Sequence, residues 1–398
     1  MEMQVPPFNP WDSSEIRYTA PWEVYTESRD HFGRFDKFFE KNQGLDSTTK
    51  VVALKSSPFV VSLLSYTGIQ RLFMCSGIIL SSNGINGDFS STILTSTSLL
   101  KCPTRKHAIA NNIKVDVYLA DGSLHEGQIV GHDFHYNLAV ISIKPDSCLK
   151  IATIGNIDGS TVGSARGSTS FQLLPPRDSA VKLSPDLTVV ALGRYHDHPY
   201  HIMAAPGALR FVDSDLDCGD LLVTDCQITK NGIGGPIITC SGCVLGISFY
   251  ESEHTPFLPI NIALKCLEHL QTNRKVPRPW LGVKLFDFDI ASLSELDMLR
   301  QTFPTLVEGA VIRQVESESP ASRAGLCIGD VVVQLDEKPV SKTLQFKGLL
   351  LDKGNKPLQV IVKRAGISVP LTLTVVPERP RKKNRWPIPS KRLIHTSA

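Results

Sequence analysis

The chain has 398 residues, 42% apolar and 20% charged, the make-up of a soluble globular protein with room for two or three domains. A net charge of +3 gives no ground of its own for a nucleic-acid partner, and no run approaches the length of a membrane span. Nine cysteines, an odd number without framework spacing, point to free thiols in a reducing compartment.

The N-terminus, MEMQVPPFNPWDSSEIRYTAPWE, lacks a basic region followed by an apolar run, and it carries too many acids for an organelle transit peptide. A cytoplasmic or nuclear protein is the expectation. From Trp22 to Lys41 aromatic residues recur at helical spacing (Tyr25, His31, Phe32, Phe35, Phe38, Phe39), which predicts a short amphipathic helix within an N-terminal extension over 1–46. Its plain role is to pack on the body of the protein. From Thr49 to Phe249 the text is β-rich, with short aliphatic runs bounded by Gly, Asp, Asn and Ser. YLADGSLHEGQIV predicts a hairpin, because Asp-Gly suits a tight turn between paired strands. Many short strands without long helices suggest a sandwich or barrel. LPINIALKCLEHLQTN predicts one closing helix, and the unit spans 47–272. KVPRPW, at 275–280, reads as a linker. A second β-rich unit follows at 276–378, and a basic tail at 379–398.

Residues 231–236, NGIGGP, lie between two strand-like runs and have the shape of a nucleophile loop in trypsin-like serine proteases. Other segments fall in line with it. SGIIL (76–80), STILTSTSLL (91–100), GQIVGHDFHYNLAVISIK (127–144), VVALGR (189–194), NGIGGPIITCSGCVLGISF (231–249) and FLPINIALKCLEHL (257–270) together resemble the trypsin-like domain of the HtrA/DegP family, called Do-like or Deg in plants. The resemblance implies a mostly β fold, a double β-barrel. It places Ser98 at the catalytic histidine position, Asn137 at the aspartate position and Ile233 at the serine position. A serine protease needs a hydroxyl nucleophile, an imidazole to take its proton, and a carboxylate to hold the imidazole. None of the three is of the required type here, so no catalytic residue is expected. Asn231, Gly232 and Gly234 fall on the oxyanion loop, where Asn231 replaces a glycine.

WLGVKLFDF and GAVIRQVESESPASRAGLCIGDVVVQLDEKPV resemble a PDZ domain of the HtrA type, with Pro320, Ala321, Ala324, Gly325, Leu326, Gly329 and Asp330 on its pattern. Such a domain adds an extended peptide to a sheet edge and receives the peptide's carboxylate on backbone amides. The resemblance assigns Trp280, Leu281, Gly282, Val283 and Leu285 to that groove. A packing module without a free ligand is the competing role.

No metal or cofactor is expected. His132 and His135 read as loop histidines. His196, His198 and His201 with Asp197 form the densest cluster, on a surface loop. Cys240-x-x-Cys243 lacks a second pair, and its Ser-Gly centre reads as a hairpin turn. The tail residues Arg379, Arg381, Lys382, Lys383, Arg385, Lys391 and Arg392 fit a solvated end or a nuclear import signal. The expected partners are peptide or protein C-termini. Family members assemble as trimers, which implies a homo- or hetero-trimer with related subunits; neither membrane nor nucleic acid is expected. Three readings stay open: a proteolytically silent binding or regulatory protein, an active Deg-type endopeptidase in protein quality control using unrecognised residues, and a diverged duplicate with little retained function.

Overall fold

The structure, a computed structural model, describes residues 45–105, 107–157, 181–197, 200–216, 218–251 and 253–380. The aromatic segment 22–41, His198 and the basic tail beyond residue 380 lie outside these residues.

After a helix, α1 (Ser47–Ser56), come β1 (Val60–Thr67), β2 (Gln70–Ile85), β3 (Asp88–Ser96), β4 (Ile113–Tyr118), β5 (Leu124–Asp133) and β6 (Leu138–Ile143). They close into a barrel in the order β1-β2-β3-β6-β5-β4. Alternation drives the closure. In β4, Val115 and Val117 are buried while Lys114 before them is exposed and Asp116 between them is half-buried, the period-two pattern of a strand with one wet face. The Asp-Gly hairpin forms as its residues require: the Ser123 N–H donates to Asp121 Oδ1 at 2.9 Å and the Gly122 N–H to the Leu119 carbonyl at 3.1 Å.

A second barrel follows from β7 (Thr188–Arg194), β8 (Ile202–Arg210), β9 (Leu222–Thr224), β10 (Pro236–Thr239), β11 (Val244–Ser248) and β12 (Thr255–Pro259), ordered β10-β11-β12-β9-β8-β7. Helix α2 (Ile260–Asn273) ends it. The buried side chains of both barrels form one continuous cluster. Arg194 pins them together. Its buried guanidinium donates to the carbonyls of Val60 (2.6 Å), Tyr200 (2.6 Å) and Ser57 (2.7 Å). Buried charge is tolerated only when its donors are satisfied in this way, and burial still draws this guanidinium down to about 10.

The last unit is a twisted sheet with short helices: β13 (Val283–Asp287), α3 (Leu293–Thr302), β14 (Ala310–Val315), α4 (Pro320–Arg323), β15 (Val331–Leu335), β16 (Lys338–Pro339), α5 (Thr343–Lys353), β17 (Leu358–Lys363) and β18 (Leu371–Val375). The sheet order is β13-β14-β15-β17-β18, with β16 beside β15, so β13 is an edge strand.

Helix α5 is apolar on two sides. Phe346 and Leu350 enter the core of this sheet, beside Leu281, Ile312 and Val360. Leu344 and Leu351 enter the core of the barrels. A helix with two apolar faces must be covered on both, and here two domains do the covering. Charges close the edges of the contact: Lys265 Nζ reaches Asp352 at 2.5 Å, and Lys347 Nζ reaches the Gly219 carbonyl at 2.6 Å and Asp220 at 3.2 Å. The segment 275–280 is packed, in contrast to the free linker its composition suggests. Val276 is fully buried in the barrel core, and Trp280 exchanges backbone hydrogen bonds with Glu378 at 2.8 and 3.0 Å.

Candidate functional site

Ser98 lies in the 3-10 turn Thr97–Leu100 that follows β3, and Asn137 precedes β6 in the left-handed conformation, φ 53°. The pairing of β3 with β6 brings them together. Ser98 Oγ stands 3.2 Å from Asn137 Nδ2 and 3.3 Å from Oδ1, and both side chains are buried. The Thr97 N–H donates to the Asn137 carbonyl at 3.0 Å. The result is a neutral hydroxyl–amide pair. Neither group takes a proton near neutral pH.

The NGIGGP loop is pressed onto the same place. Gly234 has φ +80°, and a Cβ there would stand 2.4 Å from the Ser76 carbonyl, 2.7 Å from Thr95 Oγ1 and 3.0 Å from Ser96 N. Ser96 in turn accepts from the Ser98 N–H at 3.1 Å. Only glycine fits such an approach in that conformation. Ser76 ties the loop down twice, donating its N–H to the Ile233 carbonyl at 2.8 Å and its hydroxyl to the Asn231 carbonyl at 2.6 Å. Ser248 Oγ donates to the Gly232 carbonyl at 2.7 Å.

Within the loop, Lys230–Gly232 form a 3-10 turn, so Asn231 does not use the left-handed conformation open to it. Ile233 is extended, φ −55° and ψ 132°. Its side chain is only 8% exposed and joins the barrel core. The loop's own donors are also taken. The Gly232 N–H goes to the Thr229 carbonyl (3.0 Å), that of Ile233 to the Lys230 carbonyl (3.2 Å), that of Gly234 to the Ser248 carbonyl (2.8 Å) and that of Gly235 to the Gly232 carbonyl (3.0 Å). An oxyanion hole in this fold uses the N–H of the nucleophile residue and of the residue two before it. Here the first of these already has an acceptor.

Beside this pair sits a group the sequence does not flag. Asp133 is buried and accepts from the N–H groups of His135 and Tyr136, each at 2.8 Å, and from Arg278 Nη2 at 3.1 Å. The arginine of KVPRPW is thus anchored four residues from Asn137. His132 packs edge-on to Phe134 and His135 to Tyr136, with ring centroids 5.1 and 4.7 Å apart. Burial pushes His132 below the usual imidazole range, against the opposing charge of Asp133. His196 Nε2 lies 3.2 Å from Asp197, and burial lowers this imidazole too. Among the described residues no three His, Cys, Asp or Glu side chains gather as a metal site.

The other expected site is the turn entering β13. Gly282 takes φ +77°, and a Cβ there would be 2.3 Å from Ser319 Cβ and 3.1 Å from Trp280 Cζ2. The carbonyls of Leu281 and Gly282 are taken, accepting from the N–H groups of Ala321 (3.0 Å) and Glu316 (2.8 Å). Among the described residues, no acceptor is bonded to the N–H groups of Leu281 and Gly282. Backbone N–H groups left open in such a turn are donors of the kind that anions take. Leu281 is buried in the sheet core, and Val283 and Leu285 pack partly against that core. The alternate residues turn away: Lys284 reaches Asp213 at 3.3 Å, and the Arg313 guanidinium lies over Phe286 at 4.4 Å from its centroid.

Gly282→Ala is expected to lower stability by about 1–2 kcal/mol from the left-handed backbone alone, with more from the Ser319 collision. It should also weaken binding of peptides with a free C-terminus. Urea midpoints and anisotropy titrations measure the two effects.

Comparisons agree with this architecture. Residues 75–247 match the trypsin-like peptidase domain, and residues 244–375 match the PDZ domain. The Arabidopsis thaliana protein Do-like 14 is 29% identical over 338 residues, which cover 82% of this chain and 70% of that one. The serine protease Do-like HtrB of Bacillus subtilis is 27% identical over 290 residues, covering 68% of this chain and 58% of its own. The solved HtrA-type protease AlgW with tripeptide superimposes with a TM-score of 0.50 at 22% identity, covering 86% of this chain and 98% of that one, a likeness of fold. Two six-stranded barrels, a PDZ-matching sheet after them, and similarity to Do-like and HtrA-type serine proteases make this chain an HtrA-type serine protease homologue with a PDZ domain.

Proposed function

We propose that the chain is a proteolytically silent member of this family that works by binding the C-termini of peptides or proteins through its PDZ domain. What supports silence above all is Ile233. The residue at the nucleophile position has no heteroatom in its side chain, is held in the barrel core, and donates its N–H to Lys230. Ser98 and Asn137 supply no base to any other nucleophile nearby. Losing one member of such a triad costs about four to six orders of magnitude in turnover. The binding half rests on the open N–H groups of Leu281 and Gly282 at the mouth of an edge strand. An HtrA-type relative has been solved with a tripeptide, the ligand class proposed here. Assembly into homo- or hetero-trimers with related subunits belongs to the same proposal.

The test uses the purified full-length chain. Casein and a peptide library should be cut no faster than in buffer, and a fluorophosphonate should leave no adduct. Peptides with a free carboxyl terminus should bind, and their amidated forms should not. Fluorophosphonate-sensitive cleavage would falsify the silent reading; equal binding of the amidated peptides would remove the PDZ role.

A further inference from the structure

Helix α1 carries four apolar residues in a row, Val51-Val52-Ala53-Leu54. At about 100° per residue they cannot share one face. Val52 and Ala53 are buried in the barrel core. Val51 and Leu54 are left 50% and 66% exposed. Residues three apart are neighbours on a helix surface, so α1 has a second apolar face that the described residues leave open.

That face opens on a groove of about 340 Å³. One wall is α1, with Val51, Val52 and Lys55; the other is the turn joining β10 to β11, with Ser241 and Gly242. The turn is held firmly. Thr239 Oγ1 and Ser241 Oγ lie 2.7 Å apart, and the Cys243 N–H donates to Thr239 Oγ1 at 3.1 Å. Gly242 sits close to the helix: a Cβ there would stand 3.5 Å from Val52 Cγ2 and 3.6 Å from Ser56 Oγ. The groove is thus formed in advance between two ordered elements. Its chemistry suits aromatic side chains. The valines take the body of a ring, and Lys55 offers a cation to its face.

The chain itself arrives at the mouth of this groove. Leu45 is buried in the barrel core, and Asp46 caps α1, its Oδ1 accepting from the Thr49 N–H at 2.9 Å. Whatever precedes residue 45 therefore leaves the fold beside Ser47, which lines the groove. The aromatic segment 22–41, outside the described residues, ends a few positions upstream. From Phe39 to Leu45 an extended chain reaches about 20 Å. Helix α1, with ten residues, is about 15 Å long, so the tether spans all of it. So short a tether also holds the phenylalanines at an effective concentration on the order of millimolar, an advantage that neither a second copy nor a free peptide has.

We propose that segment 22–41 docks in cis along α1, with Phe32, Phe35, Phe38 and Phe39 on Val51 and Leu54 and in the groove beside Gly242. The four phenylalanines recur at the spacing of one helical face, which matches the row that α1 leaves bare. This contact is independent of the peptide groove at β13 and of any chemistry at Ile233.

The test replaces Phe35 or Phe39, one at a time, by p-benzoylphenylalanine in the full chain and irradiates a mixture of isotopically light and heavy chains. Cross-links should fall on residues 47–55 or 240–242, and should join light to light and heavy to heavy. Val51→Lys should weaken docking about tenfold, the factor that one buried valine contact carries, and lower the cross-link yield. Circular dichroism should show its barrels intact, because Val51 is half exposed in the fold. Cross-links elsewhere on the chain, none at all, or an undiminished yield from Val51→Lys would overturn the proposal. Light–heavy pairs would overturn it in favour of a second copy as the occupant.

Discussion

Ile233→Ser alone is expected to leave hydrolysis of an activated ester within about tenfold of the unaltered chain, whereas S98H, N137D and I233S together are expected to raise it by about three orders of magnitude. The single change restores a hydroxyl with no base to activate it. Its neighbours would remain the Ser98–Asn137 pair, 3.2 Å apart and neutral. The triple change supplies the base and the carboxylate at positions the barrel already holds together. Even so, the rate should stay below that of a natural triad, because the residue 233 N–H is bonded to the Lys230 carbonyl and must be released to hold an oxyanion. Ester turnover and fluorophosphonate labelling of both variants decide the matter. A full gain from the single change would mean that some other base reaches the loop.

The second large effect concerns α5. Leu351→Ala is expected to cost about 2–5 kcal/mol, the usual range for a buried leucine, and Leu351→Asp more, since it sets an unpaired charge inside the barrel core. Leu351 is 2% exposed and belongs to the barrels' cluster although its helix belongs to the PDZ sheet. The loss should therefore show as a loss of coupling. One calorimetric transition in the unaltered chain should become two in Leu351→Asp, while Leu54→Asp on the exposed side of α1, 66% exposed, should leave one. A single, merely lowered transition in Leu351→Asp would show that the leucine serves stability without linking the domains.

Much of the architecture is legible in the residues because it rests on local rules. Asp121-Gly122 marks a hairpin, alternating valines mark a half-wet strand, and the glycines at 234 and 235 mark a turn into which no Cβ fits. Helix α3 is harder to see from apolar pattern, since none of its residues is buried; its signal is the capping box between Ser292 and Glu295. The identities at 98, 137 and 233 can be read from the text, but their environment cannot. Burial of Ile233, the diversion of its N–H to Lys230 and the left-handed Asn137 depend on strands far apart in sequence. The Asp133–Arg278 pair spans 145 positions, and no spacing rule connects an aspartate in a hairpin strand with an arginine in a proline-rich segment. The same limit hides α5. A helix with leucines on two faces announces that both will be covered, without saying by what.

That shared helix bears on how binding partners should be sought. Cutting the chain at 275 would strip the barrels from Leu344 and Leu351 and bare two leucines to water. Such a fragment would present an adhesive face absent from the intact molecule, and proteins retained on beads coated with it would report that face as readily as the peptide groove. Whole-chain bait keeps the leucines covered, so what it retains speaks for the groove.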